Sequence, residues 1–72
     1  MLYAVGQFYI IDGSVEFEGY EKVFYNFREA IKYAYEQTVA SGDSEYFHVE
    51  PMPENIVDVG GLGDLIVPLT ES

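Results

Sequence analysis

An α+β domain is predicted for this chain, on three observations. The stretch from Asn26 to Gly42, NFREAIKYAYEQTVASG, has helical periodicity. Before it, two alternating apolar stretches flank Asp12-Gly13, a strong signal for a two-residue hairpin turn. After it come short β-like stretches punctuated by Pro51, Pro53 and a glycine cluster. The expected architecture is ββαββ, a mainly antiparallel sheet with one helix packed on one face, over a single domain spanning residues 1–72.

The helix has the clearest boundaries. Asn26 is a good N-cap, and Glu29 three residues on forms a capping-box-like pair with it. Gly42 supplies the left-handed C′ position. At 100° per residue, Phe27, Ala30, Ile31, Ala34, Thr38 and Ser41 share one side, with Tyr35 at its edge, while Glu29, Lys32, Glu36 and Ala40 lie opposite. Small residues in the buried stripe let such a helix lie close on a sheet.

The hairpin turn sets a register that pairs Ile11 with Ser14 and runs back to Leu2 with Val23. Opposed residues share a face. One face then holds Leu2, Ala4, Gly6, Phe8 and Ile10 with Val23, Glu21, Gly19, Phe17 and Val15. The other holds Tyr3, Val5, Gln7, Tyr9 and Ile11 with Lys22, Tyr20, Glu18, Glu16 and Ser14. The first is the apolar one, and Gly6 opposite Gly19 would open a groove there for Ala30 and Ala34. A β-bulge at Gly19 is the competing reading, and it would exchange the faces of Val23 and Phe24. Beyond the helix, Glu45–Glu50 alternates as a third strand and 55–59 reads as a fourth. Gly60-Gly61-Leu62-Gly63 is a loop, and 65–69 is an apolar tail that pairs at an edge or packs along the core.

At 72 residues and without cysteine, the chain relies on one small core with no disulfide or thiolate-zinc staple. Its 49% apolar content is too high for disorder. No apolar run reaches the ~20 residues of a membrane span. The start, MLYAVGQFYII, lacks a basic region and a small-residue cleavage site, and reads as a strand. A soluble, cytoplasmic protein is expected.

Thirteen acids against three bases give a net charge of −10. Lys22, Arg28 and Lys32 all lie on the helix or just before it, whereas residues 1–21 and 43–72 contain acids and no Lys or Arg. The total exceeds the ~2–8 charges that solubility asks of a small domain. Such a field repels nucleic acid and anionic membrane, and attracts basic protein surfaces.

Catalytic patterns are missing. His48 is the only histidine, so neither a Cys-His pair nor a His-based metal site is available. No nucleophile-elbow pattern surrounds Ser14, Ser41 or Ser44. Glu16 and Glu18 are about 7 Å apart along a strand, without the cleft a glycosidase pair needs. Gly60–Asp64 lacks the Lys and Ser/Thr of a phosphate-binding loop. Asp43-Ser44-Glu45 lacks the spacing of a calcium loop. No enzyme, cofactor or metal is expected.

Recognition remains. Seven tyrosines and five phenylalanines exceed what so small a core hides. Phenols beside carboxylates suit a protein-binding surface, and the candidate residues are Tyr3, Tyr9, Glu16, Glu18, Tyr20, Glu45 and Glu50. In size and charge the chain resembles the DNA-mimic and anti-defence proteins of bacteriophages, anti-CRISPR proteins and inhibitors of restriction or uracil excision among them. That resemblance implies an inhibitor whose carboxylates stand in for phosphates on a basic, nucleic-acid-binding surface of a larger protein. The alternative is a structural or regulatory module that homodimerises through its tyrosine-rich sheet face.

Overall fold

The computed structural model describes residues 1–42 and 44–68. Strands β1 (Leu2–Ile11) and β2 (Ser14–Phe24) precede helix α1 (Phe27–Ala40), strand β3 (Glu45–Met52), helix α2 (Glu54–Val59) and a 3-10 turn over Gly63–Leu65. The α+β class holds: α1 packs on a three-stranded antiparallel sheet of order β2-β1-β3. Asp12 and Gly13, at φ 49° and 80°, make the expected hairpin turn with both central residues left-handed. No helix among the described residues is long and apolar enough to cross a membrane.

The strand order decides where α1 lies. β2 and β3 both run antiparallel to β1 and so are parallel to each other, on either side of it. The path β2–α1–β3 is therefore a parallel crossover, and strand twist makes such crossovers right-handed. With this order, the right hand leaves α1 one face only. That face carries Val5, Phe24 and Phe47, on which Ala30 and Ala34 sit. The expectation that α1 covers Leu2, Ala4, Gly6, Phe8 and Phe17 is corrected, because those residues face the opposite way.

The expected hairpin register also needs correction. It holds from Ile11–Ser14 to Phe8–Phe17, after which β2 carries two extra residues, Glu18 and Glu21. The first bulge places Gln7 opposite Gly19 and Gly6 opposite Tyr20; the second places Val5 opposite Lys22 and Ala4 opposite Val23. Residues 17 and 20 would point to opposite faces of a regular strand. The bulge at Glu18 brings them to the same one. Because the two shifts cancel in parity, Val23 and Phe24 keep the faces the unbulged hairpin assigns them.

The stretch 55–59, read as a strand from Ile56, Val57 and Val59, is helix α2. Pro53 suits a helix start because its missing N–H would be unpaired there anyway, and its carbonyl accepts from Ile56 and Val57 at 3.1 and 3.2 Å. At the other end Gly61, at φ 73°, donates to Asp58 O, and Leu62 donates to Val57 O at 3.0 Å. This is a Schellman cap, with its usual contact between the residues it joins. Tertiary burial overrides β propensity here. Val57 is fully buried against Leu2, Ala4, Val23 and Met52, with Leu62, Leu65 and Ile66 packed around it. The tail packs along the core: Ile66 bridges Val23 in parallel and Val67 N donates to Val23 O at 2.8 Å. Residues 69–72 lie outside the described residues. The sheet thus has α1 on one side and the α2 segment on half of the other.

Asn26 caps α1 by accepting from the N–H groups of Arg28 (2.8 Å) and Glu29 (3.2 Å). Asn26→Ala is expected to lower unfolding free energy by about 1 kcal/mol, read from urea denaturation. At the far end Thr38 Oγ1 donates to Ala34 O at 2.8 Å and accepts from Phe47 N at 3.2 Å, tying the helix to β3.

Candidate functional site

The half of the sheet that α2 leaves open carries a continuous row of rings. From β2 across β1 to β3 the row runs Tyr20, Phe17, Phe8, Tyr46, His48, with centroid separations of 5.1, 5.1, 6.0 and 6.3 Å. The first three pairs are edge-to-face or tilted, which matches the quadrupole preference of aromatic pairs, and Tyr46 and His48 are stacked. Phe17 is 52% and Tyr46 45% exposed, and Ile10 and Val15 extend the same face to the hairpin tip. Contiguous apolar surface of this kind is less common on a small domain than apolar residues scattered singly.

Gly6 makes the row possible. It lies buried in the middle strand, opposite Tyr20 on one side and His48 on the other. A Cβ there would stand 3.1 Å from Phe17 Cε1 and 3.5 Å from Tyr20 Cε1. The two rings cover the ground a side chain would occupy. Tyr20 then reaches across β1, its hydroxyl donating to Glu50 Oε1 at 3.3 Å. On the helix side, Tyr33 donates to the bulged Glu21 at 3.4 Å.

Charge is divided between the two sides. Arg28 and Lys32 belong to α1, and Lys22 lies opposite Val5 on α1's side of the sheet. Among the described residues the ring-bearing side therefore has no Lys or Arg, while Glu50 lies on it and Glu54 and Asp58 belong to α2, which packs there. No three His, Asp or Glu side chains among the described residues come together to hold a metal ion.

The seven residues singled out from sequence fall into separate places. Tyr20 and Glu50 are bonded on the ring-bearing face. Tyr9 sits between Glu16 and Glu45 on α1's side, at the hairpin end of the sheet. Tyr3 packs beside α1 with its ring 5.3 Å from Phe27, and Glu18 is the extra residue of a bulge. Sequence reasoning misses Phe8, Phe17, Tyr46 and His48. Alternation in both strands was visible, but that β3 pairs with β1 was not, and only that pairing puts Tyr46 beside Phe8.

Burial first, and then the nearby carboxylate, raises the pKa of both Tyr20 and Tyr33 above the ordinary 10.0. The folded chain holds these protons more tightly than the unfolded one. Their contribution is complete below pH 10 and is lost as pH climbs through the raised folded values. Thermal unfolding should therefore drop in temperature above about pH 10, and less steeply in a Tyr20→Phe/Tyr33→Phe variant.

No family model, curated protein or solved structure matches this chain.

Proposed function

We propose that this chain is a small acidic protein-binding module, an inhibitor that mimics nucleic acid and blocks a basic surface of a larger protein. The observation that carries the reading is the row Tyr20–Phe17–Phe8–Tyr46–His48, with Phe17, Tyr46 and His48 exposed and Tyr20 and Phe8 half-buried, on a side without Lys or Arg, in a chain of net charge −10. Rings give rigid contact area at small entropic cost, and the surrounding carboxylates steer a cationic partner and fix its orientation. The size and charge shared with phage anti-defence proteins, anti-CRISPR proteins among them, belong to the same reading. A second copy of the chain is the less favoured partner, since two such faces would meet with like charge.

The test compares the native chain with a Phe17→Ser/Tyr46→Ser variant of unchanged charge, each immobilised in nuclease-treated host extract. The native chain is expected to retain a nucleic-acid-binding protein that the variant does not. Raising salt from about 0.05 M to about 0.5 M should release it, as screening shortens to a few ångströms. Added native chain should displace DNA or RNA from that protein in a gel-shift assay. Retention that ignores the rings or the salt would overturn the reading, as would a salt-stable dimer in sedimentation.

A further inference from the structure

The outer edge of β3 is an open strand edge backed by an apolar groove. β3 is an edge strand, and Ile10 N donates to Ser44 O, so the alternate residues Tyr46, His48 and Glu50 pair with β1. Phe47 and Val49 therefore turn their N–H and C=O groups outward. The start of this edge is already occupied by α1: Thr38 Oγ1 takes the Phe47 N–H, and Ser41 Oγ donates to Glu45 O at 3.3 Å. Past that point, among the described residues, the Phe47 carbonyl and both groups of Val49 have no such cover.

Beside these groups runs a groove of about 400 Å³ between α1 and β3. Its helix wall is Phe27, Ile31 and Tyr35, at 51%, 44% and 70% exposure, and its strand wall includes Tyr46 and His48. The geometry points to strand addition: the groove takes an extended, basic segment of a partner protein, laid along Val49. Main-chain bonds to Val49 and the Phe47 carbonyl fix the segment, and its side chains alternate between two walls. Those on one side fall on Ile31 and Tyr35, which calls for apolar residues. Those on the other meet Tyr46 and Glu50, a ring face and a carboxylate, which calls for Lys or Arg. A second copy fits poorly, because its own β3 alternates Glu45, Glu50 and exposed rings and its charge is again −10.

The inference keeps the basic character of the partner from the proposed function and shares Tyr46 and His48 with the ring row, but it uses the outer edge of β3 and the α1 wall, which the row does not reach. Its test uses a synthetic peptide alternating lysine and valine, beside the same peptide N-methylated at one central valine. Amide spectra are expected to shift at Phe47–Glu50 on titration, with the Val49 N–H becoming protected from exchange. The N-methylated peptide, equal in charge, should bind about tenfold more weakly, since a strand bond is lost and Val49 is left unpaired. Val49→Pro, tolerated where the N–H faces outward, should weaken the plain peptide similarly, and Ile31→Ser should also weaken it. Equal binding of both peptides, or shifts elsewhere than β3 and α1, would overturn the inference. So would concentration-dependent protection of Val49 without peptide, which means a second copy on the edge. Phe17→Ser leaves this groove intact, so failure of the ring face and failure of the edge read out separately.

Discussion

Phe24→Ala should lower the unfolding free energy by about 3–5 kcal/mol, the cost typical of removing a buried aromatic ring. Phe24 is 7% exposed at the end of β2 and belongs to the cluster in which Ala30 and Ala34 of α1 meet Val5 and Phe47. Its ring also packs at a tilt on Tyr33, centroids 5.6 Å apart. The buried residues that α1 brings to this cluster are Ala30 and Ala34, whose methyls cannot fill the void, and Tyr33 covers it from the half-buried rim only. A 72-residue domain has a total stability of roughly 4–11 kcal/mol, so the loss is a large share of it. With a urea slope of about 1 kcal/mol/M, the midpoint should fall by some 3 M or leave no folded baseline. Phe27→Ala, at a 51% exposed ring on the same helix, is the control, and should cost under about 1 kcal/mol. Equal losses would mean that α1 does not use Phe24 as its seat.

Gly6→Val should cost about 1–3 kcal/mol and dismantle the ring row. The first atom beyond Cα meets Phe17 Cε1 at 3.1 Å, and the branched methyls of valine have nowhere to go but into Phe17 and Tyr20. Phe17 is exposed enough to swing outward, so Gly6→Ala should be near neutral while valine is not. The expected signature is a loss of near-UV aromatic ellipticity and of the Tyr20–Glu50 hydrogen bond, with far-UV signal retained. Partner capture should fall with the rings. A Gly6→Val chain that keeps both the row and its stability would mean that the rings do not need the gap.

Much of the fold was legible in local chemistry. Asp12-Gly13 marks the hairpin, Asn26 and Gly42 bound the helix, and the Ala30/Ala34 stripe names its buried side. Other features were illegible for stated physical reasons. Gly19 marks a bulge beside it as the competing reading, and the first one is there at Glu18, but a single glycine does not say how many residues are inserted, and nothing local marks the second at Glu21. Ile56, Val57 and Val59 have strand propensities that say nothing of Val57's place between Leu2 and Met52. Of the candidate site, the sequence points to Tyr20 and Glu50 but not to their pairing. Tyr46 and His48 show in it only as part of a strand's alternation.

By itself, then, the sequence determined the elements before residue 45, the turn that joins β1 to β2, and a charge pattern with every base on or just before α1. Those follow from capping, turn dihedrals and composition, which act between residues close in the chain. The tertiary structure decided that β3 pairs with β1, which makes β2–α1–β3 a right-handed crossover and sends α1 to the Val5 face. The Phe8 face was left to α2 and to the open rings. That choice belongs to strand order and twist, properties of the assembled sheet that no single stretch of the chain contains.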